Sequence, residues 1–219
     1  MVSNTPVRLD DLQIERYSRQ IVLREIGAVG QVRLLDSRVA IAGTGAAVGC
    51  TLAYLAAAGV GMLAAPRALH EAVDPAQRDV MLESPCSSAA GMPFDALVVD
   101  GEIAGLLPPA RRTFWIAAGR AGETPPCAAC AEAALPPLAT PAAELAGARD
   151  AVLGTVVATE VVKALLEVGT PLRGHVLSYD PDHASITTTA VAARPGCATC
   201  APVAAEGGRR PACRTTPVI

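Results

Sequence analysis

The segment RVAIAGTGAAVGCTLAYLAAAGVG, residues 38–61, constrains the fold more than any other part of the chain. Its uninterrupted apolar run at 39–42 predicts a buried strand, followed by a turn at Gly43 and Gly45 and a helix over 50–58. The missing side chains of the two glycines would let backbone N–H groups approach a phosphate at the helix N-terminus. The segment therefore predicts a nucleotide-binding type of fold, although an ordinary strand-to-helix connection gives the same signal.

One glycine expected in such a turn is missing, because Val48 stands in the third position. That glycine normally allows the helix and strand to pack closely, so a β-branched residue would push the helix outward or force local repacking. Gly49 follows one position later and would compensate only in part. We therefore expect a nucleotide site that has decayed.

The composition favours one α/β domain without nucleic-acid or membrane contacts. The 219 residues alternate apolar strands and helices, which predicts a single domain over 1–201 and a disordered tail over 202–219. A net charge of −3 and scattered arginines argue against nucleic acid, and Lys163 is the only lysine. The start of the chain is polar, and no apolar run is long enough to span a bilayer, so we expect a cytoplasmic protein.

Four of the seven cysteines form two CxxC pairs, Cys127 with Cys130 and Cys197 with Cys200. Two residues between thiolates let both sulfurs bind one ion, and two such pairs complete a tetrahedral structural zinc site. Such a site would clip the C-terminal segment onto the middle of the domain. Reduced buried thiols or redox-active pairs are the alternatives.

The remaining cysteines do not pair by spacing. Cys50 falls in the first helix and is expected in the core. Cys86 lies in a loop that could expose its thiol, and Cys213 lies in the tail.

The pattern along the chain is that of a Rossmann-like, doubly wound sheet with N-terminal helices and a C-terminal β-hairpin. The segments 66–94 and 125–141, rich in breakers, are predicted to be mostly irregular, the second as a surface crossover loop. The other predicted elements are short helices within 10–26, strands at 62–65, 95–100 and 113–118, a buried helix over 151–168, and hairpin strands at 175–180 and 185–193.

With these motifs in place, the chain resembles the ThiF/MoeB/HesA family, the bacterial relatives of ubiquitin-activating enzymes. The resemblance covers about residues 14–201, through ERYSRQIVLREIGAVGQVRLLDSRVAIAGTG, LAYLAAAGVG, VLGTVVATEVVKALLEVGTPLRGHVLSYD and both CxxC pairs. It implies an enzyme that binds ATP and Mg²⁺, adenylates the C-terminal glycine of a small ubiquitin-like sulfur carrier, and forms dimers. It also implies that an arginine of the RYSRQ segment, Arg16 or Arg19, reaches the ATP of the neighbouring subunit.

Several positions depart from what this resemblance implies. The two acids near the ribose fall on Arg67 and Leu69, which cannot accept hydrogen bonds from ribose hydroxyls. The arginine directed at the phosphates is retained as Arg78, but no lysine follows it in 79–94. The pocket therefore lacks a cation for the β-phosphate.

The metal and nucleophile positions are changed as well. The magnesium-binding aspartate falls on Ile103, with Glu102 as the only substitute, and the cysteine nucleophile of some members falls near Gly147. A metal-bound triphosphate would be poorly neutralised here, and covalent sulfur chemistry would lack its nucleophile.

Three functions remain open from the sequence. The first is an active adenylyltransferase that uses Gly43, Gly45, Arg78 and a partner's Arg16 or Arg19. The second is a non-catalytic scaffold that binds a carrier protein or an active paralogue. The third is an NADP-dependent enzyme in which Arg67 contacts the 2′-phosphate. We favour the scaffold, because losing an acid, a lysine and a magnesium ligand together removes most of the electrostatic stabilisation of the reaction.

Overall fold

A computed structural model describes residues 9–84, 93–101 and 107–200 of the chain. Within these residues eight strands form one sheet. They are β1 (Arg38–Ala42), β2 (Met62–Ala64), β3 (Met81–Glu83), β4 (Phe94–Asp100), β5 (Ala110–Ala117), β6 (Arg120–Glu123), β7 (His175–Asp180) and β8 (Ser185–Ala190).

Six α-helices and one 3₁₀ helix accompany the strands in the described part of the chain. The 3₁₀ helix, Arg67–Ala72, follows β2 directly. The α-helices are α1 (Asp11–Arg16), α2 (Ser18–Ile21), α3 (Gly27–Leu35), α4 (Ala46–Ala58), α5 (Ala128–Ala134) and α6 (Ala143–Leu166). None of the described helices is both long enough and apolar enough to cross a bilayer.

The strand order is β3-β2-β1-β4-β5-β6-β7-β8. The first five strands of this order are parallel, and the last three continue the sheet antiparallel. The chain moves outward from β1 to β3 and then returns to place β4 on the other side of β1. This reversal makes the carboxyl ends of β1 and β4 the crevice where open α/β sheets usually bind ligands.

The sheet carries an apolar layer on each face, which confirms the Rossmann-like class. One face packs against α3, α4 and α6, with Leu52 and Leu153 fully buried among the strand residues. The other face packs against α5, with Trp115 and Ala131 in its core. Residues 96–99 of β4 alternate between the two layers, as the pleat of a doubly covered strand requires.

Small residues fix the closest packing of this core. Gly59 ends α4 in the left-handed region at φ 85°, and a Cβ there would lie 2.7 Å from the ring of Tyr17. A Cβ on Gly154 would overlap the carbonyl oxygen of Ala47, so α4 and α6 approach each other at backbone distance. Val48, fully buried in the first turns of α4, is accommodated within this packing.

Several predicted boundaries were wrong. The helix α3 and the strand β6 were missed, β3 lies in the segment expected to be irregular, and α5 lies in the segment expected to be a loop. α4 and α6 begin earlier than predicted, because their first turns contain small or charged residues without a clear apolar period. Cys86, Cys213 and the predicted tail lie outside the described residues.

Candidate functional site

The glycine turn between β1 and α4 is bound by a carboxylate of the chain itself. Gly45 is the N-cap of α4, and no side chain caps that helix. Its backbone N–H donates a hydrogen bond to Oδ2 of Asp100, 2.9 Å away, at the end of the neighbouring strand β4. The helix N-terminus, the part of the fold suited to an anion, therefore already has one in contact.

Both glycines are required by this contact. A Cβ on Gly43 would lie 2.5 Å from Cβ of Asp100, and one on Gly45 would overlap the Asp100 carboxylate. Gly43 also has φ 119°, which favours glycine. The close approach of Asp100 is thus sufficient to account for the glycines that the sequence pattern attributed to a phosphate.

The residues that the sequence analysis expected around the turn differ in their surroundings. Leu69 of the 3₁₀ helix approaches α4, with its Cδ2 3.6 Å from where a Cβ of Gly49 would stand. Arg67 and Arg78 are exposed and form no ion pair with a described residue. Lys163 lies in α6, where its Nζ is 2.6 Å from Glu160. Glu102 and Ile103 lie outside the described residues.

Arg16 and Arg19, the two candidate arginines of the RYSRQ segment, have different surroundings. Arg16 lies 3.5 Å from Asp79 and donates a hydrogen bond to Gln77, so its guanidinium is held within its own chain. Asp79 also accepts from Tyr17, and burial together with this carboxylate raises the pKa of Tyr17 to about 12. Arg19 is exposed and has no ion-pair partner among the described residues.

The structure brings the two CxxC pairs together. Their four Sγ atoms all lie within 4.8 Å of one another, with Cys127 3.6 Å from Cys197 and Cys130 3.8 Å from Cys200. A tetrahedral zinc ion with Zn–S bonds of about 2.3 Å has sulfur atoms about 3.8 Å apart. The cluster therefore has the size and chemistry of a closed structural metal site.

Backbone groups prepare these sulfurs to act as ligands. The N–H of Cys127 donates to Sγ of Cys200 at 3.2 Å, and the N–H of Arg194 donates to Sγ of Cys130 at 3.3 Å. Backbone hydrogen bonding from Cys200 lowers the pKa of Cys197 to about 6, whereas burial raises the pKa of Cys200. A bound cation would favour the thiolate at all four positions.

The fold brings the two CxxC pairs together although they lie far apart in the sequence. Cys127 caps α5, directly after β6, and the second pair follows β8. The antiparallel end of the sheet places β6 and β8 on either side of β7. A metal at the cluster would thus join the end of the described chain to the segment that leads out of β6.

Sequence reasoning did not single out Asp100. The sequence indicates Asp100 only as the last residue of a buried strand, because its contact depends on the position of β4 beside β1. The signal was an acidic residue at the carboxyl end of a strand that neighbours the glycine turn.

Comparison with known proteins identifies relatives of this chain. The model of the ThiF family matches residues 17–65. The chain is 30% identical to a sulfur carrier protein adenylyltransferase of Thermus thermophilus, over 86% of this chain and 91% of that protein. Shorter matches include the SAMP-activating enzyme E1 of Haloferax volcanii, 51% identical over 25% of this chain and 20% of that one. A further match is the adenylyltransferase and sulfurtransferase MOCS3 of Bos taurus, 54% identical over 28% of this chain and 14% of that one.

Solved structures with the same fold are more distant in sequence. Escherichia coli MccB has a TM-score of 0.58 at 14% identity, covering 89% of this chain and 74% of MccB. PaaA has a TM-score of 0.59 at 15% identity, covering 87% of this chain and 86% of PaaA. The fold, the clustered cysteines and the near full-length similarity to the Thermus protein agree, and the chain belongs to the ThiF family.

Proposed function

We propose that this chain is a non-catalytic member of the family that binds a small ubiquitin-like sulfur carrier or an active paralogue. The observation that carries the proposal is the hydrogen bond from the Gly45 N–H to the Asp100 carboxylate. In this account the chain keeps the sheet, a structural zinc ion and a dimer surface, and has lost its ATP site.

The electrostatics of the turn support the loss of ATP binding. A triphosphate at the glycine turn would have to displace the Asp100 carboxylate or accept its repulsion at close range. Leu69 packs where the resemblance implies an acid, and no described lysine is available to the phosphates. Transition-state stabilisation of phosphoryl chemistry depends on such preorganised cations, so adenylation by this chain alone should be very slow.

An active adenylyltransferase is the alternative, and Arg78 favours it. This arginine is exposed and has no ion-pair partner among the described residues, so it would be free to contact a phosphate. The relative that matches over most of its length is named as an adenylyltransferase of a sulfur carrier. Under this alternative ATP and Mg²⁺ are cofactors of the chain itself.

The four-cysteine cluster fits Zn²⁺ better than a catalytic ion. Four thiolates would fill the tetrahedral coordination of zinc and leave no position for a substrate. The ion would supply structural stability by joining the segment after β8 to α5. Cys127, Cys130, Cys197 and Cys200 are the proposed ligands.

The N-terminal helices are the proposed dimer surface. They expose apolar side chains to solvent, with Val22 78% and Val29 68% exposed. Arg19 lies among these residues on α2 and is not held by a carboxylate, whereas Arg16 is. We therefore propose Arg19 as the residue that reaches across a homo- or heterodimer to the ATP of an active partner.

This role can be tested with an active relative from the same cell and its sulfur carrier. The quantity measured is the rate of ATP–pyrophosphate exchange by that relative, with and without this chain. We expect the chain to raise the exchange rate of the relative, and Arg19→Ala to reduce that stimulation about tenfold or more because a transition-state cation is lost. Arg24→Ala, a neighbouring exposed arginine, is the matched control and should leave the stimulation unchanged. Exchange by this chain alone, or equal stimulation by the Arg19 variant, would contradict the proposal.

A further inference from the structure

Arg120 of β6 is a buried cation without an anionic partner. The residue is only 6% exposed, and the described part of the chain offers it no ion pair. Its Nε donates to Oγ of Ser178 at 3.3 Å, and its Nη2 donates to the carbonyl oxygen of Pro136. Both acceptors are neutral, so the positive charge is hydrogen-bonded but not compensated.

A second arginine of the sheet, which is partly buried, is paired with a carboxylate. Arg112 of β5 makes two hydrogen bonds to the carboxylate of Glu123, at 2.7 and 2.6 Å. That paired arrangement is the usual way to keep a guanidinium inside a protein, because an isolated charge is costly to bury. Arg120 departs from it, and an external anion would complete its pairing.

Arg120 lines a cavity of about 370 Å³ beside α5. Trp115, Leu135 and Leu138 supply apolar walls, and the exposed Glu132 supplies the one carboxylate of the lining. Glu132 forms no ion pair with Arg120. The cavity shares no lining residue with the glycine turn, and its volume is within the range of small-molecule sites.

We infer that this cavity binds a carboxylate that carries an apolar body of about the size of a phenyl or branched aliphatic group. The planar guanidinium of Arg120 would pair with the carboxylate, since Arg is charged at any ordinary pH and offers donors in a fork that matches it. The apolar body would lie against Trp115 and Leu135. This chemistry is offered by a free organic acid or by the α-carboxylate of a peptide that ends in an apolar residue.

The test titrates the zinc-loaded full chain with 3-phenylpropionate and with its uncharged amide, by calorimetry or ligand-observed NMR. We expect the acid to bind, with a dissociation constant of about 1 mM or lower, and the amide to bind about tenfold more weakly or not at all. Arg120→Gln should weaken binding of the acid by about tenfold or more. Glu132→Gln should strengthen binding of the acid, because a competing carboxylate is removed from the lining.

A second variant tests the cavity in case Arg120→Gln does not fold. Ala117→Leu leaves Arg120 in place and fills the cavity, so it should also abolish binding of the acid. N-Acetylphenylalanine distinguishes the two sources, since tighter binding than 3-phenylpropionate indicates a peptide C-terminus and weaker binding a free acid. Equal binding of acid and amide, unchanged binding in a folded Arg120 or Ala117 variant, or no binding of either acid would overturn the inference.

Discussion

Replacing Cys127 by serine should destabilise the zinc-loaded protein by about 4–5 kcal/mol or more. Cys127 is buried and caps α5, and its Sγ is one of the four that lie together. Serine would remove one thiolate ligand and leave the zinc ion with an incomplete coordination sphere of three sulfurs. Because metal binding is coupled to folding, the lost binding energy appears as lost stability. Urea denaturation and zinc content, measured on the same preparations, check this result.

Cys50→Ser is the matched control for that substitution. Cys50 is half-buried in α4 and lies outside the cluster, so its loss should cost only about 1 kcal/mol and leave the zinc content unchanged. Chelation of the wild-type protein should lower its stability about as much as Cys127→Ser does. Wild-type protein that contains no zinc, or a Cys127 variant as stable as the control, would contradict the structural role of the cluster.

Arg112→Met should destabilise the protein by about 3–5 kcal/mol. Its partner Glu123 is 1% exposed and receives two hydrogen bonds from the guanidinium. Hydrogen bonding to Glu123 also raises the pKa of Arg112, which therefore stays charged. Removing the arginine leaves Glu123 buried with its carboxylate unpaired, at the end of β6 just before the first cysteine pair. The free energy of unfolding measured in urea gives the size of the effect.

The adjacent residue provides a control on the same strand. Arg111 is 73% exposed and lies 3.7 Å from Asp95, so Arg111→Met should change the stability by at most about 1 kcal/mol. The double variant Arg112→Met with Glu123→Gln should recover part of the loss, because the unpaired charge is gone. A single Arg112 variant as stable as the Arg111 variant would show that the pair contributes little.

The elements that the sequence could predict are those fixed by local chemistry. The run at 39–42, the predicted end of the first helix at 58 and the two CxxC spacings each limit the structure without reference to distant residues. The hairpin of β7 and β8 also lies within the predicted strand ranges 175–180 and 185–193. The order of these elements supported the family resemblance, and the comparisons confirm the family.

The features that were missed depend on tertiary contacts. β6 has the sequence RAGE, which is buried only because β5 and β7 flank it and Arg112 neutralises Glu123. The role of Asp100 depends on parallel pairing of β4 with β1, and sequence pattern alone could not assign it. α3 lacks a capping side chain and contains Gly27 and Gly30, which weaken its helix signal, so its burial of Leu34 could be recognised only in the fold.

The central claim, that the glycine turn is occupied by the chain's own carboxylate, is tested most directly by calorimetric titration with Mg·ATP. The zinc-loaded protein should give no binding at ATP concentrations up to about 1 mM, and Asp100→Asn should gain affinity because the Gly45 contact loses its negative charge. Binding of Mg·ATP by the wild-type protein that weakens in Arg78→Ala would contradict this account and favour the alternative that the chain is an active adenylyltransferase.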